Sequence, residues 1–197
     1  MVQTSDFDDI ANGTDVLYIC EQENDAGKVY FNNLLVDITT DTTDGLNKKL
    51  GRNFEKIMSA SSGAKIKYYE NIKNQYKGEI SEVIPVVLGL DKENASRLML
   101  DCLEVAEGNK TKKEIENHPA SIIFLEEMKR QFEAYSKAIE NSPKKTELEK
   151  SLMKTRDFSD MITKVLDQKK GLAEEKKTKS LLQTDRFFDA LNKRLNS

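Results

Sequence analysis

The chain has 197 residues, of which 38% are hydrophobic and 33% are charged, and its formal net charge at pH 7 is −3. That balance is typical of a globular chain and excludes wholesale disorder. The longest apolar run, near Val83–Leu90, is far shorter than the roughly 20 residues that a transmembrane helix needs, so we expect no membrane partner. Two cysteines, Cys20 and Cys102, cannot build a disulfide framework and favour a reducing, cytoplasmic location.

The charges are arranged in blocks along the chain. Residues 1–45 hold ten acids and one base. Asp6, Asp8 and Asp9 lie where a secretory signal would be basic and then apolar, so no signal is expected. Residues 46–77 hold eight bases and two acids. Such blocks indicate interaction surfaces. Two alternatives stay open, namely that the blocks face each other within one fold or that each is solvated.

Residues 15–38 predict a β-hairpin. Asp15–Cys20 is β-branched and aromatic, Asn24–Gly27 is a turn sequence, and the return strand begins at Lys28. We expect Asn32 and Asn33 to interrupt that strand before it resumes over Leu34–Ile38. Such a meander needs helices to cover one of its faces.

Helical spacing begins at Leu46. Apolar residues recur there at helical intervals as far as Ile57, which predicts a first helix. A second helix is predicted through Tyr69, Ile72 and Tyr76, ending at Gly78. The apolar segment Glu79–Leu90 is also interpreted as mostly helical, with its proline in the first turn.

The remainder of the chain has helix-capping signals. Asp91 is a predicted N-cap, and Gly108 a predicted C-cap, of a helix whose core-facing stripe we take to be Ala95, Leu98, Met99, Cys102, Leu103 and Ala106. Thr111 and Glu114 have capping-box spacing, and Pro119 starts a long helix that ends near residue 143. Further helical stripes continue to the end of the chain.

The sequence therefore predicts an α+β fold that is mainly α, with an acidic N-terminal β-hairpin or meander packed on a helical body and a helical C-terminal extension. Two parts are expected. Residues 1–142 form the α+β domain, with the hairpin at 15–38 and helices from 46, and residues 143–197 form the extension.

Catalytic and metal-binding patterns are scarce. His118 is the single histidine and is expected to cap a helix, and with two distant cysteines it cannot complete a usual zinc site. The acids of Asp37–Gly45 lack EF-hand spacing, and Ser59–Lys65 lacks the spacing of a phosphate-binding loop. We predict no catalytic residue, no metal and no cofactor. A metal-dependent enzyme that uses carboxylates is kept as a hypothesis, ranked after an interaction protein and a nucleic-acid-binding protein.

One segment resembles a helix-turn-helix. In residues 81–107, Ile84 and Leu88 would pack the first helix, Gly89 would supply the turn, and Leu98 would pack the second helix. That resemblance, together with the basic region 46–77, implies DNA or RNA binding. The residues that would contact nucleic acid are Lys48, Lys49, Arg52, Lys92, Asn94, Ser96 and Arg97.

The C-terminal helix is the other candidate. Its apolar side chains form a compact face after the hydrophilic stretch Lys169–Lys179, a pattern typical of a tethered docking helix. The predicted partner-binding residues are Leu181, Phe187, Phe188, Leu191 and Leu195. The alternative is that this face folds back on the chain's own core.

The sequence thus favours a non-enzymatic intracellular interaction, assembly or inhibitor protein that acts through its acidic N-terminal region and its C-terminal helix. Its partner would be another protein or a second copy of itself. Nucleic-acid binding is the alternative.

Overall fold

In the computed structural model, the backbone is described at residues 2–3, 15–23, 29–59, 64–71 and 76–196, and side chains at 15, 33–59 and 83–196. Over these ranges the protein is α+β and mainly helical, as the sequence predicts. The strands are β1 (Val2–Gln3), β2 (Val16–Glu23), β3 (Val29–Thr39), β4 (Ala64–Asn71) and β5 (Tyr76–Gly89). The helices are α1 (Asp44–Met58), α2 (Lys92–Ala106), α3 (Lys112–Glu116), α4 (Ala120–Glu140), α5 (Glu149–Gln168), α6 (Lys170–Glu174), α7 (Lys176–Thr184) and α8 (Arg186–Leu195).

The five strands form one sheet in the order β1-β2-β3-β5-β4. Strands β2 and β3 pair antiparallel from Val16 opposite Val36 to Glu23 opposite Val29, which confirms the predicted hairpin. Its predicted turn lies outside the described residues. The expected interruption at residues 32 and 33 is wrong, because both asparagines pair with β2 through the backbone and β3 continues past them.

The predicted helices over residues 69–78 and 79–90 are also wrong. Among the described residues, 69–71 end β4 and 76–89 form β5, and the two strands pair antiparallel from Asn71 opposite Tyr76 to Ala64 opposite Val83. The β-branched run in β5 explains the strand, since such side chains fit a pleated sheet better than a helix. Among the described residues, the pairing of β5 with β4 extends to Val83, so Pro85 lies beyond it.

The chain divides into two compact units made of discontinuous segments. The first unit comprises Met1–Ile38, Lys48–Val87 and Tyr135–Arg156, and the second comprises Thr39–Asn47, Leu88–Ala134 and Asp157–Ser197. The boundary predicted after residue 142 lies inside the last segment of the first unit.

The core of the first unit contains buried strand and helix residues. Four consecutive residues of β3, Leu34–Asp37, are buried, and five of β5, Val83–Val87. Successive strand residues point to opposite faces, so the sheet is covered on both faces here. From the helices, Tyr135 is fully buried and meets Phe54 edge-to-face, with 4.9 Å between ring centroids.

The core of the second unit is rich in phenylalanine. Phe132 and Phe158 are fully buried and stacked, with 5.3 Å between ring centroids and 20° between ring planes. A second cluster contains Leu90, Ile123 and Phe188 together with Ala120. Burying aromatic side chains of this size contributes about 2–3 kcal/mol each.

The helix boundaries confirm the predicted caps. The carboxylate of Asp91 accepts the Asn94 backbone N–H at 2.9 Å. The Glu114 carboxylate accepts from the Thr111 backbone N–H at 2.7 Å and from its hydroxyl at 2.9 Å. Gly108 has φ of +80°, a left-handed conformation that glycine adopts without strain at a helix end. Helix α4 begins one residue after the proline that the sequence places at its start.

Candidate functional site

Two aspartates, Asp91 and Asp185, join the N-termini of α2 and α8. Besides the bond of Asp91 to its own helix, Asp185 accepts the Phe188 backbone N–H at 2.9 Å. Each also accepts from the other helix. Asp185 accepts the Asp91 backbone N–H at 3.1 Å and the Asn94 side-chain amide at 2.8 Å, and Asp91 accepts the Arg186 backbone N–H at 3.3 Å. We call this arrangement the aspartate clasp.

The clasp is favourable because a helix N-terminus carries partial positive charge and unsatisfied backbone N–H groups. Asp185 is completely buried, and its three donors compensate for that burial. The clasp therefore fixes where α8 starts and which of its faces points inwards.

The apolar face of α8 is packed within its own unit. Phe187, Phe188 and Leu191 are buried, whereas Leu181 of α7 and Leu195 of α8 are partly exposed. These are the five residues that the sequence assigned to partner binding. In this structure Phe187, Phe188 and Leu191 contact the chain's own core, which is the alternative that the sequence left open. A role of the five residues in binding a partner stays a prediction.

Gly89 explains how closely α8 is packed. A Cβ atom at Gly89 would lie 2.2 Å from the backbone oxygen of Thr39 and 2.7 Å from the Phe187 ring, so only glycine fits. The Gly89 backbone N–H donates to the carboxylate of Glu127 at 3.0 Å. Burial raises the pKa of Glu127 well above its ordinary value, and the charge of Asp185 adds to that effect.

A cleft of about 550 Å³ lies beside the clasp. Lys92, Arg97 and Arg186 contribute positive charge to its walls, and Asp91 and Glu93 contribute negative charge. The charges nearly cancel, so the cleft does not select a ligand by charge.

Two of the basic residues predicted to contact nucleic acid are held by an acid of the same chain. The buried carboxylate of Asp37 forms ion pairs with Lys49 and with Arg52, the latter at 3.0 Å. Burial raises the pKa of Asp37 despite both cations, which lower it. Lys48 is exposed. At this point the acidic and basic blocks do face each other within one fold.

The helix-turn-helix expectation is wrong in its architecture, because residues 81–89, which include its expected first helix, form a strand. Of its proposed contact residues, Asn94 is buried against Asp185, and Arg97 pairs with Glu93 on the same helix. The Ser96 hydroxyl donates to the Lys92 carbonyl at 2.8 Å. Nucleic-acid binding by these residues stays a prediction, without the motif that suggested it.

Helix α2 instead presents apolar side chains outwards. Met99 is 66% exposed, Leu100 61% and Leu103 52%. The Cys102 side chain is exposed as well. The predicted core-facing stripe is therefore wrong for Met99, Cys102, Leu103 and Ala106, all of which are exposed. We call Met99, Leu100 and Leu103 the outward patch.

The sequence could not separate the two sides of α2, because both carry apolar residues. Leu98 and Ala95 pack against the core cluster of the second unit. Residues 94, 98, 101 and 105 share the inward side, so residues 96, 99, 100 and 103 must face outwards at 100° per residue. Asn94 marks the inner side of α2, because its side-chain amide is bonded to Asp185. Apolar periodicity alone did not reveal this.

His118 sits where α2 and α4 approach each other. Its Nδ1 accepts the Ala120 backbone N–H at 3.1 Å, and its Nε2 lies 3.2 Å from the Asp101 carboxylate. The predicted capping role is thus confirmed. The arrangement fits the neutral imidazole with a proton on Nε2. Burial lowers the pKa of His118, and Asp101 opposes that effect.

Comparisons with protein-family models, curated proteins and solved structures find no match for this chain. Within the described ranges, no helix has the length and apolar character to cross a membrane. The described side chains also contain no group of three or more histidine, cysteine or acidic residues arranged to hold a metal ion.

Proposed function

We propose that this protein is a non-enzymatic interaction protein, and that its binding surface is the outward patch of α2. The observation that carries the proposal is the exposure of Met99, Leu100 and Leu103, each more than half exposed within five residues of one helix. Isolated apolar residues on a surface need no explanation, but three neighbours on one helical face are typical of a docking surface.

Ile38 and Met153 are similarly exposed, but they stand apart from the outward patch in the sequence. Helix α8 exposes less apolar surface to a partner, since Phe187 and Leu191 are already buried. We therefore keep the prediction of an interaction protein, and we propose α2 instead of α8 as its binding surface.

Nucleic-acid binding has weaker support. Lys49 and Arg52 are engaged by Asp37, and Arg97 by Glu93. Phosphate binding would have to compete with these ion pairs.

The test measures whether something covers the outward patch in cells that express the protein. Ser96 is exposed and lies on the outward side, so Ser96→Cys in a Cys102→Ser background places one thiol there without removing an apolar side chain. Met153→Cys in the same background is the matched control. Alkylation rates are read by peptide mapping, in cells and in dilute purified protein.

We expect the thiol at 96 to react several-fold more slowly in cells than in dilute protein, and the thiol at 153 to react equally in both. Adding Leu103→Glu should restore the fast rate at 96. Equal ratios at the two positions would overturn the proposal.

A further inference from the structure

The outward side of α2 has a symmetric pattern. Its exposed central line reads Lys92, Ser96, Met99, Leu100, Leu103 and Glu107. The steps between these residues are the same when counted from either end, about a point between Met99 and Leu100. A helix with such a pattern can meet an identical helix that runs in the opposite direction, with each residue facing its counterpart.

From this pattern, and resting on the proposed function, we infer that the occupant of the outward patch is a second copy of this chain, packed with its α2 antiparallel. In that arrangement Met99 faces Leu100 of the second copy, and Leu103 faces Ser96. The apolar side chains lie at the centre of the contact and the charged ones at its two ends.

The charges favour the antiparallel direction. Lys92 of each copy faces Glu107 of the other, so opposite charges meet at both ends. A parallel pair would place Lys92 against Lys92 and Glu107 against Glu107. The helix dipoles also attract when the two helices run in opposite directions.

The flanking charges have partners within each copy. Arg97 pairs with Glu93, and the Lys110 ammonium lies 2.5 Å from the Glu104 carboxylate and 2.7 Å from that of Asp101. These pairs reduce the repulsion along the edges of the contact. A lipid surface is less suited to this face, since acids alternate with the bases and an anionic membrane selects for an excess of bases.

The contact is small, so the association is weak. A helix of 15 residues is about 22 Å long, and one helix pair buries less than the roughly 1,200 Å² of a stable complex. We expect dimers in the micromolar range or weaker.

The test is sedimentation of the full chain from about 1 to about 500 µM, a range that brackets weak association. Leu103→Glu should weaken dimerisation at least tenfold, whereas Met153→Glu, an equally exposed position on α5, should leave it unchanged. Lys92→Glu and Glu107→Lys should each weaken dimerisation about threefold or more, and the double variant should recover it. These exposed substitutions at helix ends also suit the helix dipole, so folding is maintained.

Three outcomes would overturn the inference. The first is a monomer at every concentration. If the thiol at 96 is nevertheless protected in cells, the proposed function stands and a different protein is the occupant. The second is a dimer that tolerates Leu103→Glu, which would use another surface. The third is a double variant that does not recover, which would exclude the antiparallel arrangement.

Discussion

The two apolar surfaces of α2 and α8 differ in what covers them. The face of α8 has the sequence of a tethered docking helix, yet Phe187 and Leu191 are completely buried. Helix α2 has the sequence of a core helix, yet Met99 and Leu100 are more than half exposed. Apolar periodicity therefore predicts that a helix has a side to cover, and polar contacts such as the aspartate clasp mark which side faces the core.

The largest effect that separates the two surfaces should come from truncating their aromatic and apolar side chains. We expect Phe187→Ala to lower the free energy of unfolding by about 3–5 kcal/mol, because it leaves a cavity in the core. Met99→Ala should change it by less than about 0.5 kcal/mol, since the side chain is solvated. Urea denaturation of both variants measures the difference, and similar losses would mean that Met99 is buried.

Glycine substitutions test the packing around Phe187 by adding a methyl group instead of removing a side chain. Gly89→Ala should cost about 3 kcal/mol, because the new methyl group meets the Thr39 carbonyl, a backbone atom that cannot move aside. Gly51→Ala is the control, since nothing lies within 4 Å of a Cβ in α1. It should stabilise the protein by up to about 1 kcal/mol through helix propensity. Thermal unfolding compares the two, and a tolerated Gly89→Ala would contradict the close approach of Phe187.

The clasp can be removed without touching the apolar face. Asp185→Ala leaves three donors without an acceptor and should cost about 2 kcal/mol. Asp189→Ala is the matched control on α8, because this exposed acid pairs with Lys193 on the same helix and its loss should cost less than about 0.5 kcal/mol. Equal stability of the two variants in urea would show that the clasp does not hold α8.

The smallest effect is a pH dependence at His118, beside the inward side of α2. Its folded-state pKa is lowered from 6.5, first by burial, while Asp101 raises it and Lys110 and Lys177 lower it. The unfolded chain therefore binds the proton more readily, so this contribution to stability is complete above pH 6.5 and declines as the pH falls below it.

Thermal unfolding between about pH 5 and about pH 8 measures this decline, which spans the ordinary range of histidine titration. His118→Asn keeps a capping side chain and removes the titration, so the difference between the two profiles isolates the imidazole. Parallel profiles for both proteins would contradict the prediction.

The features predicted correctly from the sequence depend on neighbouring residues. The β2–β3 hairpin, the Asp91 cap, the box at Thr111 and Glu114 and the helix after Pro119 each carry a local signature. Segments β4 and β5 were misassigned because their apolar residues also recur at helical intervals, and strand pairing depends on a distant partner. The candidate surface was missed for a related reason, since the inner side of α2 is marked by the bond of Asn94 to Asp185, which lies 91 residues further along the chain.

Hydroxyl-radical footprinting of dilute wild-type protein measures most directly which apolar side chains of α2 and α8 are exposed. Each oxidation rate is divided by its rate in the urea-unfolded chain, so that residues of one type can be compared. We predict that Met99 reacts as freely as the exposed Met153, and that Phe187 is as protected as the buried Phe158. A reactive Phe187 or a protected Met99 in the dilute monomer would contradict the assignment of α8 to the core and of α2 to the binding surface.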